Sequence, residues 1–255
     1  MGVSEILERI TDPYQRQARL WPALLALFPL MTLFGITYGP MMSIFTAVLS
    51  LAGSCGVLYL VTSIARELGK RLESRLFVRW GGKPSTQLLR HREPTIEAVT
   101  KRRYHDFLSR KLNEQFPTQD DEAKQPTKAD ELYQSGVRWL LNQTRGQQVF
   151  DLLFKENISY GFRRNAQALK PIGLSVSFVT ILWVFFSHRV IDLSTNPIVN
   201  TSAVTTLPET AIMVLAISLL MIAVWLFFFT SDTTRTAAFT YAETLLRACD
   251  VLDKS

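Results

Sequence analysis

Residues 20–65 read LWPALLALFPLMTLFGITYGPMMSIFTAVLSLAGSCGVLYLVTSIA, without one Asp, Glu, Lys or Arg. A hydrocarbon core of about 30 Å is crossed by about 20 apolar residues in helical form. The stretch is therefore long enough for two passages. Inside TYGPM (37–41), Gly39–Pro40 is a turn pair at which one helix stops, so the block reads as two spans, about 20–38 and 41–65. A cleaved signal peptide is the rival reading. The leader argues against it, because it carries Glu5, Glu8 and Asp12, and the apolar stretch far exceeds a signal peptide's core.

The rest of the chain repeats this segregation. Of 255 residues, 47% are hydrophobic and 20% charged, values that suit a soluble protein on average. Yet 171–188 and 210–231 are also free of charge, giving spans at about 171–190 and 208–230. The fold class expected is all-α: a multi-pass membrane protein with two transmembrane helical hairpins bracketing a helical domain. The divisions are 1–19, hairpin 20–65, basic helical domain 66–170, hairpin 171–230 with a loop at about 191–207, and tail 231–255.

Cationic loops stay on the cytoplasmic side. The leader has three Lys or Arg, the middle segment twenty-one and the tail three, whereas the turn at 38–41 has none and 190–207 has none beyond Arg189 at its edge. Both termini and the middle segment are thus expected in the cytoplasm, with 191–207 periplasmic and the protein in the cell inner membrane. Of the net charge of +6, the middle segment, with twenty-one basic and thirteen acidic residues, contributes +8.

Beyond the second span, Ile64, Leu68, Leu72 and Leu76 recur every four residues between Arg and Glu. This predicts an amphipathic helix leaving the bilayer until Gly81–Gly82 breaks it; from 41 to 80 it would extend roughly 60 Å. GGKPSTQLLRHREP reads as a loop. A helix follows over 95–116, with Ile96, Val99, Tyr104, Phe107, Leu108, Leu112 and Phe116 on one face. Then come a polar linker at 117–128, a helix over 129–145 and another over 147–168 with Val149, Phe150, Leu153, Phe154, Ile158 and Phe162 apolar.

Two groups of residues are candidate sites. Arg66, Lys70 and Arg71 leave the membrane, and Arg163, Arg164 and Lys170 return to it, with Pro171 opening the third span. Each such cation near anionic headgroups contributes about 1 kcal/mol, so they read as topological anchors. The sharper alternative is a site for a phosphate-bearing ligand, a nucleotide or a lipid headgroup. In the second span Ser43, Thr46, Ala47, Ser50 and Ser54 share a narrow face near Gly53 and Gly56, with Ala52-x-x-x-Gly56 a small-residue pair. Such a face permits close helix contact and interhelical hydrogen bonds; read functionally, it is the hydroxyl-lined wall of an oligomeric pore. Gly173, Ser177 and Thr180 are a smaller echo in the third span, and Pro29 is expected to kink the first.

Other chemistries find little support. No ionisable side chain lies at bilayer depth, which argues against an ion-coupled transporter. GGKPST (81–86) lacks the spacing of a phosphate-binding loop and has Pro84 where Ser or Thr belongs. Asp120, Asp121 and Glu122 read as a solvated run. Cys55 and Cys249 make no disulfide framework, and His91, His105 and His188 are scattered, so neither a metal nor a cofactor is expected. Lys101–Arg102–Arg103–Tyr104 with Arg110–Lys111 offers charge for nucleic acid, though anionic lipid or solvent would serve equally.

The phrases RWGGKPST, LRHRE, KRRYH, ADELYQSGVRWLLNQTR and ENISYGFRRN together resemble uncharacterised bacterial four-span inner-membrane proteins, chiefly over 66–170. In outline the chain is also similar to membrane effectors of anti-phage systems such as retrons. The resemblance implies a non-enzymatic homo-oligomer that perturbs the membrane when its cytoplasmic domain is triggered. The alternatives are a scaffold holding a cytoplasmic partner at the membrane and a nucleotide- or lipid-binding sensor.

Overall fold

The computed structural model describes residues 12–38, 44–146, 148–194 and 198–254; in the helix beginning at Ile44, side chains are described from Tyr59 onward. Asp12 caps Pro13–Gln15 by accepting from the Tyr14 amide at 3.0 Å, and a π-helical turn, Arg16–Leu20, leads into α1 (Trp21–Tyr38). There follow α2 (Ile44–Trp80), α3 (Pro84–Leu89), α4 (Ala98–Leu112), α5 (Gln119–Lys124), α6 (Pro126–Thr144), α7 (Asp151–Ser187) and α8 (Thr201–Thr205). Last come α9 (Glu209–Ala223), continued by a π-helical Val224–Phe228, and α10 (Ser231–Leu252). Among the described residues the chain is all-helical, and the one sheet-like feature is an isolated bridge between Ile191 and Val199. Three segments, Pro13–Thr37, Gln148–Ser187 and Glu209–Phe228, are long and apolar enough to cross a membrane. The span expected at 41–65 falls in α2, where most of its side chains lie outside the described residues.

The chain packs as two compact units, Met1–Leu72 with Gly161–Thr233, and Glu73–Tyr160 with Thr234–Ser255. In the first, the interior is made of small residues and a few large ones. Ala26, Ala65, Ala166, Leu169, Met221, Trp225 and Phe229 form one cluster, and Val184, Ala211 and Val214 form another. The outside is the more hydrophobic surface: Phe28, Met31, Phe34, Phe178, Trp183, Leu219 and Phe227 are exposed. In the second unit Leu88, Phe107, Leu108, Tyr133, Leu140, Leu245 and Leu246 are buried together.

Several expectations are corrected. The helix over 147–168 and the span after it are one helix, α7, with Pro171 inside it. Its buried positions, Ile158, Gly161, Asn165, Leu169, Gly173, Ser177, Thr180 and Val184, keep three- and four-residue spacing straight through the proline. Residues 84–89 form a buried helix. The polar 117–128 linker contains α5, whose start is a capping box between Thr118 and Asp121. The helix placed over 95–116 stops at Leu112, because Asn113 takes the left-handed conformation at φ 54°. Val99 and Val149, placed on buried faces, are exposed. The tail is α10, whose Ala242, Leu245, Leu246, Ala248 and Cys249 enter the second unit's core. The break at Gly81–Gly82 is found as expected: both have positive φ, and the Gly82 amide donates to the Phe77 carbonyl at 2.8 Å.

Candidate functional site

In the first unit three helices meet around one buried amide. Asn165, fully buried on α7, donates from Nδ2 to the Ala18 carbonyl of the first π-helical turn at 2.7 Å. Its Oδ1 lies 2.0 Å from where a Cβ on Gly69 of α2 would stand, so only glycine allows this approach. One turn earlier on α7, a Cβ on Gly161 would meet Ala18 Cβ and the Tyr14 hydroxyl, each at 3.0 Å. Arg164, itself buried, donates from Nε to Asn165 Oδ1 at 3.2 Å.

This meeting point sorts the six cations singled out in the sequence. Arg163 donates to the Thr233 carbonyl at 3.4 Å and lies over the Phe228 ring at 5.8 Å. Lys170 donates to the Leu226 carbonyl at 3.2 Å. Lys170 therefore covers the carbonyl end of the last apolar helix, where backbone acceptors lack helical partners and positive charge is favoured, whereas Arg163 reaches the first turn of α10. Arg71 is exposed and pairs with Glu67, also exposed, at 3.0 Å. Arg66 and Lys70 are exposed. Arg164 alone of the six is buried.

Of the hydroxyl face, Ser43 lies outside the described residues. Thr46, Ala47, Ser50, Gly53 and Ser54 fall in α2, with side chains outside the described set. Gly56 is exposed and has open space where a Cβ would stand. The echo in α7 is used for packing: Ser177 and Thr180 are fully buried, and a Cβ on Gly173 would lie 2.3 Å from Trp225 Cε2. Ser177 and Ser218 return their hydroxyls to the carbonyls four residues back, whereas Thr180 Oγ1 and Trp225 Nε1 are buried without a partner.

The second unit holds a polar network that sequence reading missed. Arg90 grips Asp130 through two bonds, 2.8 and 2.6 Å, and donates to the Gly81 carbonyl at 3.0 Å. That pairing raises the pKa of the Arg90 guanidinium. Buried Glu122 accepts from the His91 amide at 2.7 Å and the Tyr133 hydroxyl at 2.9 Å. Lys101 donates to the carbonyls of Arg90 (2.6 Å) and Glu93, and burial lowers its pKa. His105 contacts the Leu89 carbonyl at 2.8 Å and stacks on Tyr133, with His91 edge-on at 4.9 Å. Burial drops the His105 pKa to about 4. The bonds from Arg90 to Asp130, from the His91 amide to Glu122, from Lys101 to the carbonyls of Arg90 and Glu93 and from His105 to Leu89 tie the 81–97 segment to α6, α5 and α4; the network positions backbone. Asp120 and Asp121 are exposed, as a solvated run predicts, but Glu122 is not. The cations proposed for nucleic acid are divided: Lys101 is buried, Arg103 pairs with Asp250 at 2.8 Å and Arg110 with Asp253 at 2.9 Å. Among the described residues no three His, Cys, Asp or Glu side chains converge as a metal ion requires.

These features define an all-helical protein with three helices able to cross a membrane. Compared with protein families, with curated proteins and with solved structures, the chain finds no match.

Proposed function

We propose that this chain is a non-enzymatic, four-span inner-membrane protein whose copies associate in the bilayer and perturb it, under the control of its basic helical unit. The observation that carries the membrane part is the inverted exposure of the first unit. Its three apolar segments turn Phe28, Phe178, Trp183 and Phe227 outward and bury Ser177, Thr180, Ser218 and Asn165. In water this arrangement would be costly; in hydrocarbon it is the favourable one.

An even number of crossings is supported by the meeting at Asn165. Ala18, before the first apolar helix, and Gly69, after the second apolar stretch, both lie against that one side chain. The chain between them leaves that level and comes back. The Lys and Arg asymmetry puts that level on the cytoplasmic side, with both termini and 66–170 there.

The small-residue face of α7 is already occupied by Trp225, which leaves the face of Thr46, Ala47, Ser50, Gly53 and Ser54 as the one through which copies would meet. The test is conductance of the purified protein in liposomes. Ion flux is expected from the wild-type chain and at least a tenfold loss from Ser50→Leu with Ser54→Leu. Flux that survives these replacements removes the pore wall. Absence of flux together with a co-purifying cytoplasmic protein favours a scaffold.

A further inference from the structure

We infer that a second copy of this chain docks on the outer face of α4, antiparallel to the first, with Arg102 of each copy against Asp106 of the other. The inference rests on the association of copies proposed above and adds to it a contact outside the apolar segments, in the basic helical unit. Val99, Arg102, Asp106 and Ser109 alternate three- and four-residue spacing, so they form one stripe along α4. Together with Arg103 and Arg110 they line an open groove of about 510 Å³. Val99 stands 76% exposed there, while Tyr104, Phe107 and Leu108 of the same helix face the unit's own core. Arg103 and Arg110 are already neutralised, pairing with Asp250 and Asp253 of α10 at 2.8 and 2.9 Å. That leaves Arg102 and Asp106, both exposed and neither in an ion pair with a described residue. Their order explains why they do not pair with each other. On a helix an acid four residues before a base is the favoured arrangement, and the reverse is poorer. The described pairs at that spacing, Glu67–Arg71, Asp151–Lys155 and Glu243–Arg247, all place the acid first. Arg102 and Asp106 place the base first and stay apart.

One cation and one anion side by side complement a copy of themselves turned end for end. In an antiparallel pair Arg102 faces Asp106 twice and Val99 faces Ser109 twice, as a two-fold contact requires. A parallel copy would instead set Arg102 on Arg102 and Asp106 on Asp106. A polyanion such as nucleic acid would gain from Arg102 and meet Asp106 beside it; a cationic partner would meet the reverse. Like charges facing each other across a contact are unfavourable, so the stripe selects against both. The contact is small and its ion pairs are exposed, so by itself it would hold little. Copies confined to one bilayer need less, since confinement raises effective concentration just as tethering does.

The test uses the full chain in isolated membranes, in a cysteine-free background carrying Val99→Cys and Ser109→Cys. Mild oxidation is expected to give a disulfide-linked product of twice the chain's mass. Val99→Cys alone is expected to give at least tenfold less, because in the antiparallel register its two copies lie roughly 15 Å apart along the helix. Adding Arg102→Asp, or adding Asp106→Arg, is expected to cut the linked fraction about tenfold. Producing those two chains together is expected to restore it, since the acids of one then face the bases of the other. Arg138→Asp, at an exposed position on α6, is expected to change nothing. Ser109 Oγ accepts from the Phe116 amide at 3.1 Å, a bond that Ser109→Cys weakens. The charge series is therefore repeated without the introduced cysteines, counting copies by native mass spectrometry in mild detergent, with the same loss and restoration expected. Linkage indifferent to the charge reversals, linkage by Val99→Cys alone, no restoration in the mixture, or a product containing another protein each overturns the contact. Loss of the contact with ion flux intact leaves the membrane reading standing; linkage without flux keeps the contact and removes the proposed membrane perturbation. If the chain is recovered in the soluble pool, the membrane reading fails, and the same linkage measured there decides the contact.

Discussion

Glu122 closes a run of three acids whose first two members face solvent, and only its environment separates it from them. Its acceptors are used by the His91 amide and the Tyr133 hydroxyl, thirty-one and eleven positions away in sequence. A local reading of charge does not see partners so distant. Buried polar groups left without partners cost about 1–3 kcal/mol, so Glu122→Ala is expected to destabilise the helical unit by about 2 kcal/mol. The readout is alkylation of Cys249. Its buried thiol, raised by burial to about 12, reacts only when the core opens. Faster modification of the Cys249 peptide is therefore expected in Glu122→Ala than in Arg138→Gln.

His105 carries the pH dependence of the same core. Leu89, Tyr133, Phe116, His91, Lys101 and Glu122 face it. Burial holds its folded pKa at about 4 against an ordinary 6.5. The unfolded chain therefore binds the proton first, and stability is lost as pH falls from about 6.5 to 4 and not further below. The full shift corresponds to roughly 3 kcal/mol. Denaturant midpoints measured at pH 7.5, 5.5 and 4 are expected to fall in that order, and His105→Gln is expected to flatten the series.

The elements that could be read from sequence are those whose signal is local. Charge-free stretches mark the apolar helices, and four-residue spacing from Ile64 to Leu76 marks the outward run of α2. Gly81–Gly82 ends it with positive φ. The elements that could not be read depend on distant partners. Pro171 looked like a helix start because proline lacks an N–H. The packing of α7 on both sides of it, Leu169 before and Gly173 after, carries the helix through. The tail offered little hydrophobicity, since Ala237, Ala238, Ala242 and Ala248 supply much of its buried face. Its register is set against α4, where Arg103 and Tyr104 both reach Asp250. Ending the chain after Thr233 removes α10 from the core, including Leu245 and Leu246. Buried leucines are worth about 2–5 kcal/mol each, a large part of a domain's usual 5–15 kcal/mol. Limited proteolysis of that truncated protein is expected to cut within 84–144, where the full-length chain resists. Resistance equal to the full chain would show α10 to be dispensable.

Over the whole molecule, charge and packing make separate statements about the membrane, and each can be tested without the other. Charge divides the chain at 66 and 170, whereas packing divides it at 72 and 160 and draws 234–255 in with 73–160. Charge could be read directly because Lys and Arg counts are a property of sequence alone. The packing boundary could not, because it lies within continuous helices, α2 and α7. On the proposed membrane reading 73–160 and the tail share one side, since a compact unit cannot be split by a bilayer. A second hairpin that crosses twice would then put its loop, with Ser202 exposed, on the opposite side. In a cysteine-free background, Ser202→Cys is expected to react with a membrane-impermeant maleimide in intact cells. Asp120→Cys, exposed on α5, is expected to react only after the membrane is opened. Labelling of both in intact cells would place the basic unit outside and reverse the orientation. Labelling of neither, with Ser202→Cys still protected after permeabilisation, would mean that the 188–208 segment is covered and the hairpin does not end in solvent.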